Sequence, residues 1–190
     1  MKVTGGQAKG KKIYIPKGVP VRATSDRTKE SLFNILHSME GKLFLDLFAG
    51  TGNIGIEALS RGAARAVFVE KNNLLIKAIK KNLNLCGFND QYELIPTAVE
   101  NGIQLLARRK EKFDVIFADP PYEGNFVQKT LDSLSRASLV FENSIIVIEH
   151  SHREKYEEDD DKFTLSDQRR YGDTMISFFE INNGRLPWGK

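Results

Sequence analysis

The sequence predicts an α/β fold built around a doubly wound sheet. Short apolar runs alternate with segments of helical periodicity between residues 43 and 149, as in successive β/α units. A glycine-rich turn follows the first of these runs, and two strand-like runs close the chain where a further β/α unit would otherwise stand. Together these three observations indicate a Rossmann-like core that ends in a β-hairpin.

Apolar periodicity and end signals place the individual elements. Ser25 or Asp26 is expected to cap a first helix that Gly41 ends. The elements that follow in chain order are strand 43–48, helix 53–61, strand 65–70, helix 72–86 capped by Gly87, strand 91–95, helix 98–109, strand 113–118, helix 125–136, strand 144–149, and a hairpin of 163–169 and 174–181. We expect one domain: a basic N-terminal extension (1–24) with a small strand or hairpin, a core (25–182) and a tail (183–190).

Charge and composition narrow the function classes. The net charge is +3, yet residues 1–30 hold eight basic and two acidic residues, so the other 160 residues carry −3. Such a basic arm favours a polyanionic partner, although a solvated lead-in is the alternative. A single cysteine, Cys86, precludes an internal disulfide framework and a cysteine-based zinc site. The lack of a long apolar run or signal peptide predicts a soluble, cytoplasmic protein.

The glycine turn predicts an adenosine-bearing cofactor. Gly50, Gly52 and Gly55 have G-x-G-x-x-G spacing after the strand, and Glu70 follows at the distance suited to ribose hydroxyls. This pattern alone leaves NAD and S-adenosylmethionine open. Asp46, inside the strand, favours a cofactor with an ammonium group, and the C-terminal hairpin is how a seven-stranded methyltransferase sheet ends.

The loop Asp119-Pro120-Pro121-Tyr122 follows the strand 113–118 and should face the same crevice. The prolines stiffen the loop and lack N–H groups. The Asp119 carboxylate and the Pro120 carbonyl can therefore accept both N–H groups of an exocyclic amine while Tyr122 stacks on the base. A proline-stiffened surface turn is the structural alternative.

With these motifs in place, the chain resembles the RsmD-type 16S rRNA guanine-N2 methyltransferases nearly end to end. The shared features are Gly5-Gly6, Gly10-Lys11-Lys12, the block from Arg22 to Leu36, the stretch from Leu45 to Gly52, the Asp119 to Tyr122 loop and Tyr171-Gly172-Asp173-Thr174. The Arg22 to Leu36 block is the most specific of them. Ala23 stands where the family usually has proline, and Thr97-Ala98 where such enzymes often place an aspartate near the adenine.

The resemblance implies a class I S-adenosylmethionine-dependent methyltransferase that modifies the exocyclic N2 of one guanine in 16S rRNA. Expected catalytic residues are Asp119, Pro120, Pro121 and Tyr122. Expected cofactor residues are Asp46, Phe48, Ala49, Gly50, Thr51, Gly52, Asn53, Gly55, Glu70, Lys71, Thr97 and Ala98. Expected RNA-binding residues are Lys9, Lys11, Lys12, Arg22, Thr24 and Arg27.

The expected partner is 16S rRNA or the small ribosomal subunit, with no metal and no membrane, and the expected state is a monomer. Two alternatives stay open. The acceptor geometry also suits an amino methyltransferase acting on adenine N6 in DNA or on a protein glutamine. A non-catalytic RNA-binding assembly factor could also have kept this fold.

Overall fold

The computed structural model describes residues 1–19, 24–121, 125–156 and 162–182. The elements, in chain order, are α1 (Asp26–Ile35), β1 (Leu43–Leu47), α2 (Asn53–Ser60), β2 (Arg65–Val69), α3 (Asn73–Cys86), β3 (Tyr92–Ile95), α4 (Val99–Arg108), β4 (Phe113–Ala118), α5 (Phe126–Ala137), β5 (Val140–Ser151), β6 (Phe163–Tyr171) and β7 (Thr174–Ile181).

The strands form a seven-stranded sheet in the order β3-β2-β1-β4-β5-β7-β6. Pairing is parallel for β1 with β2, β2 with β3, and β4 with β5. It is antiparallel for β5 with β7 and for β6 with β7. The predicted fold class, with its C-terminal hairpin, is confirmed.

The chain divides into two compact units, Met1–Gly102 and Ile103–Lys190. In the first unit, β1 and β2 are buried along almost their whole length, as expected of parallel strands covered on both faces. The following helix α3 begins at the N-cap Asn72, whose side chain accepts from the amides of Leu74 and Leu75. It ends at Gly87, which has a left-handed φ of 87° and so confirms the predicted C-cap.

In the second unit, β5 extends beyond the predicted strand 144–149 at both ends and spans Val140–Ser151. A serine explains the irregular start. The Ser144 hydroxyl donates to the Phe113 carbonyl (2.6 Å) and accepts from the Phe141 amide (2.7 Å), where the β4–β5 register shifts. The β6–β7 hairpin turns at Gly172, with a φ of 64°.

Helix α1 ends earlier than predicted. Ser25 is its N-cap, as expected, but the helix stops at Ile35 and not near Gly41. His37 has a left-handed φ of 58°, which a continuing helix cannot accommodate. The apolar residues beyond it are still buried: Leu36 and Met39 are 7% and 1% exposed. They are buried by the packing of the loop and not by a helix. Apolar periodicity alone therefore placed the end of the helix too late.

The N-terminal segment 1–19 lies outside the sheet, as predicted. Lys2 and Lys12 form an isolated antiparallel bridge, and the Val3 amide donates to the Lys11 carbonyl at 2.9 Å. Val3, Ala8 and Ile13 are buried. This segment is therefore a packed part of the first unit. In the described residues, no helix is both long enough and apolar enough to span a membrane.

Candidate functional site

The turn between β1 and α2 has the backbone geometry that its glycines suggest. Gly50 and Gly52 have φ values of 57° and 78°, and Gly52 is the N-cap of α2. Phe48, a bulky residue, also has a positive φ of 59°. Such a conformation costs about 1–3 kcal/mol and is concentrated at functional sites. The strain thus lies in the predicted cofactor turn.

Asp46 lies beneath this turn. Its carboxyl group is buried, with the residue 2% exposed, and Oδ2 accepts from the Gly55 amide at 2.9 Å. Burial raises the pKa of Asp46 to about 7; the nearby Glu70 charge adds to this, while the Gly55 N–H opposes it. Asp46 is therefore a buried acid whose ionised form calls for a cation.

Glu70 joins the ends of β1 and β2. Its Oε2 accepts from the Gly50 amide at 2.9 Å and its Oε1 from the Asn72 amide at 2.8 Å. A carboxylate offers about four lone-pair positions, so each oxygen can accept one more bond. The side chain can hold the glycine turn in place and receive a pair of hydroxyl groups.

The other predicted cofactor residues follow β1, β2 and β3 of the first unit. Ala49 and Thr51 are in the β1–α2 connection, Asn53 is the first residue of α2, and all three are buried. Lys71 is exposed after β2, and Thr97 and Ala98 are half-buried after β3. Since β1, β2 and β3 are adjacent and parallel, the twelve residues belong to the carboxyl-terminal ends of these strands, to the connections that follow them and to the first turn of α2. This is where open α/β sheets bind ligands.

A buried ion cluster, not anticipated from the sequence, supports the turn from below. Lys29 is 0% exposed, and its Nζ donates to Asn53 Oδ1 and to the Lys2 carbonyl, both at 2.6 Å. The same Nζ lies 3.2 Å from Glu57 Oε2. Burial lowers the pKa of Lys29, and the Glu57 carboxylate opposes that shift. Lys29, counted from the sequence in the basic arm, is a structural residue.

Glu57 of α2 binds the N-terminal segment through hydrogen bonds. Its carboxylate accepts from the amides of Thr4 and Gly5, both at 2.8 Å, and from Arg61 Nε at 2.8 Å. Burial alone would raise the pKa of Glu57, yet the hydrogen bonds from Thr4 and Arg61 and the charge of Lys29 hold it below its usual value. Glu57 is therefore ionised within the core.

Asn82 is a second residue that sequence analysis missed. Its side chain is fully buried; Nδ2 donates to the Thr51 carbonyl at 2.9 Å and to the Tyr14 carbonyl at 3.0 Å. Its Oδ1 accepts from the Tyr14 amide at 2.7 Å. The available signal was a polar residue between Ile79 and Leu83 on the buried face of α3. Asn82 links the β1–α2 turn, the predicted cofactor turn, to the N-terminal segment.

In the second unit, the predicted catalytic loop follows β4 directly. Asp119 is half-buried, Pro120 is buried and Pro121 is exposed. Tyr122 lies outside the described residues. A half-buried carboxylate followed by a buried proline is consistent with a stiff acceptor pair at the end of the strand.

Most of the predicted RNA-binding residues that the structure describes are at the surface. Lys9, Lys11, Lys12 and Arg27 are exposed. Thr24 is only 7% exposed, which leaves little of it for an RNA contact. Arg22 lies outside the described residues. Among the residues described, no group of three or more His, Cys, Asp or Glu side chains could hold a metal ion.

Known proteins resemble this chain over most of its length. YlbH of Bacillus subtilis (strain 168) is 31% identical over 181 residues, which cover 95% of this chain and 98% of YlbH. Ribosomal RNA small subunit methyltransferase D of Escherichia coli (strain K12) is 30% identical over 150 residues, 78% of this chain and 74% of that protein. A solved hypothetical protein of Thermus thermophilus superposes with a TM-score of 0.82 at 27% identity, covering 95% of this chain and 99% of its own.

The family model described as conserved hypothetical protein 95 matches residues 1–180. This match and those relatives confirm the resemblance seen in the sequence. The chain belongs to the conserved hypothetical protein 95 family, the RsmD family.

Proposed function

We propose that this protein transfers a methyl group from S-adenosylmethionine to the exocyclic N2 of a guanine in 16S rRNA. The observation that carries the proposal is the buried carboxyl group of Asp46 beneath the Gly50–Gly55 turn. A relative at 30% identity is named for methylation of small-subunit ribosomal RNA. The guanine N2 position follows from the family resemblance.

The donor set fits S-adenosylmethionine better than a dinucleotide. Asp46 would pair with the ammonium group, and this pairing would hold the carboxyl group in its ionised form. Glu70 would accept from the ribose hydroxyls while keeping its bonds to Gly50 and Asn72. The end of β3, at Thr97 and Ala98, would meet the adenine through backbone groups. When bound, the cofactor supplies an electrophilic methyl group on a sulfonium.

Asp119 and Pro120 would hold the guanine amine. The amine has two N–H donors, and the Asp119 carboxylate and Pro120 carbonyl are two acceptors on one stiff loop. These bonds strengthen as the nitrogen becomes cationic, so they stabilise the transition state more than the ground state. Tyr122 would stack on the base, and a guanine within RNA structure would first have to leave its stack.

Lys9, Lys11, Lys12, Arg22 and Arg27 would contact phosphates. Phosphate contacts provide affinity and orientation without selecting a sequence. We also propose that the protein acts as a monomer in the cytoplasm, where its rRNA substrate would be found. Choice of the target guanine would then rest with the base-holding loop.

A tritium-methyl transfer assay tests this function. Unmodified 16S rRNA and small ribosomal subunits are incubated with labelled S-adenosylmethionine and with wild type, Asp119→Ala or Asp132→Ala. Asp132 is a partly exposed helix residue and serves as the matched control. Label should enter RNA with wild type and the control and be lost with Asp119→Ala. Cofactor binding without transfer to either substrate would refute the rRNA substrate and point to DNA, protein or a non-catalytic role.

A further inference from the structure

The N-terminal segment and α3 together carry only positive charge. Residues 1–19 and 71–86 contain nine lysines and no aspartate or glutamate. The two stretches meet at Tyr14, whose backbone amide and carbonyl both bond to Asn82 of α3. Lys81 Nζ lies 3.7 Å from the centre of the Tyr14 ring. They therefore form one continuous surface, the lysine surface, defined by residues 9–17 and the outward side of α3.

Exposed apolar side chains are concentrated on the same surface. Of the five large exposed apolar residues in the described chain, four lie here: Tyr14, Ile15, Leu74 and Leu85. On α3, Leu74, Lys77, Lys81 and Leu85 are spaced three, four and four residues apart, which places them on one stripe of the helix. Lysines thus occupy the middle of the stripe and apolar side chains its ends.

Tyr14 is held rigidly within this surface. Both of its backbone polar groups are bonded to the fully buried Asn82, at 2.7 and 3.0 Å. Lys81 covers one face of the ring, while 41% of the residue remains exposed. A fixed, exposed aromatic ring flanked by cations provides what single-stranded RNA requires, a stacking partner for a base and positive charge for its phosphates.

Two other occupants fit less well. A lipid surface needs a continuous apolar face on the helix, and the lysines interrupt the stripe at its centre. Protein–protein interfaces are depleted of lysine, whereas exposed lysines are distributed over this surface. Its charge and its ring favour a single-stranded polyanion with aromatic bases.

We propose that the lysine surface docks a single-stranded segment of the RNA substrate. Tyr14 stacks on an unpaired base, and Lys77, Lys80 and Lys81 contact phosphates. The inference rests on the proposed function and extends its RNA contacts from the N-terminal lysines to α3. Asn82 also bonds the Thr51 carbonyl at 2.9 Å, so the docked strand passes close to the cofactor turn.

Charge removal provides the first test. The variant Lys77→Ala/Lys80→Ala/Lys81→Ala changes three exposed residues. Its matched control, Arg108→Ala/Lys112→Ala/Arg136→Ala, removes the same number of positive charges from exposed residues of the second unit. Arg108 and Lys112 precede β4, and Arg136 precedes β5. Binding to unmodified 16S rRNA is measured by filter retention across a salt series. Thermal unfolding and S-adenosylhomocysteine binding verify that both variants are folded.

The α3 variant should bind 16S rRNA more weakly, and the slope of log affinity against log salt should flatten by about 2, at about 0.7 for each single-strand phosphate lost. The control should keep the wild-type slope. An unchanged slope in the α3 variant, or equal flattening in both, would overturn the proposal. Binding of wild type to phosphatidylserine vesicles that is lost in the α3 variant, with RNA binding intact, would assign the surface to lipid.

Stacking is tested separately with a fluorescein-labelled oligoadenylate and a duplex of the same length. Tyr14→Ala should weaken binding of the single strand by about ten-fold and leave the duplex unaffected, while Tyr14→Trp should bind like wild type. Equal weakening for both probes would refute stacking. If wild type transfers methyl groups to the RNA but these variants bind RNA as well as wild type does, the proposed function stands and this inference is refuted. If the variants lose RNA binding as predicted but wild type transfers no methyl group, this inference stands and the proposed function is refuted.

Discussion

Replacing Asp46 with asparagine should stabilise the ligand-free protein and weaken its cofactor binding. The change keeps the size of the side chain and an oxygen that can accept from the Gly55 amide. It removes only the ability to ionise. The two effects have opposite signs because the buried charge is unfavourable alone and favourable beside an ammonium group.

The size of the effect on stability follows from the pKa. Burial raises the pKa of Asp46 from 3.8 to about 7, a difference of roughly three pH units at about 1.36 kcal/mol each. Between these two values the folded protein retains a proton that the unfolded chain has lost, so the free energy of unfolding falls as pH rises. The loss is complete above about pH 7 and has an upper bound of about 4 kcal/mol.

Urea unfolding of ligand-free wild type and Asp46→Asn measures this difference. The variant should be more stable at about pH 8, and its advantage should shrink to below about 2 kcal/mol at about pH 5. Asp132→Asn, the same chemical change at a partly exposed position, should track wild type at both pH values. A variant less stable than wild type at the higher pH would refute the reasoning.

Calorimetric binding of S-adenosylhomocysteine completes the test. Wild-type affinity should rise between about pH 5.5 and about pH 7, by up to ten-fold per unit, because binding an ammonium group requires Asp46 to lose its proton. Proton release should appear as a dependence of the heat on buffer ionisation enthalpy. Asp46→Asn should bind weakly with no such pH dependence. Equal affinity in the variant would mean that Asp46 does not meet the ammonium group.

Three further changes test the supports of the turn. Glu70→Ala should lower S-adenosylhomocysteine affinity at least ten-fold in calorimetry, because it removes the acceptor for the ribose and frees the Gly50 and Asn72 amides; wild-type affinity would contradict this role. Asn82→Ala should lower the free energy of unfolding by about 2 kcal/mol and weaken cofactor binding, since Thr51 loses its buried donor; a loss of stability alone would restrict Asn82 to folding. Lys29→Met should destabilise the protein by about 3 kcal/mol in urea, because it leaves the Glu57 carboxylate without its ammonium partner, and adding Glu57→Gln should recover part of the loss.

Local patterns predicted the sheet and where in the fold the candidate cofactor residues lie. Each strand of the core is a short apolar run, and the carboxyl ends of β1, β2 and β3 carry the expected residues because the order of a doubly wound sheet follows general rules. The Gly50–Gly55 turn and the Asn72 and Gly87 boundaries of α3 depend on neighbours in sequence. Such features can be predicted from sequence alone.

Features set by long-range contacts could not be predicted. Lys29 appeared to be one more basic residue of the arm, but its partners come from two other segments: Lys2 from the N-terminal segment, and Asn53 and Glu57 from α2. Asn82 likewise bonds to residues 68 and 31 positions away. Apolar periodicity also predicted too late an end for α1, because loop packing buries Met39 as effectively as a helix would. In each case tertiary contacts decided the role of the residue.

Nucleoside analysis of the methylated RNA tests the central claim most directly. Unmodified 16S rRNA and small subunits are labelled with wild-type protein and S-adenosylmethionine, digested to nucleosides and separated by chromatography with mass detection. The account predicts that the label is found in N2-methylguanosine. Label in N6-methyladenosine or in ribosomal protein, with none in guanosine, would contradict it.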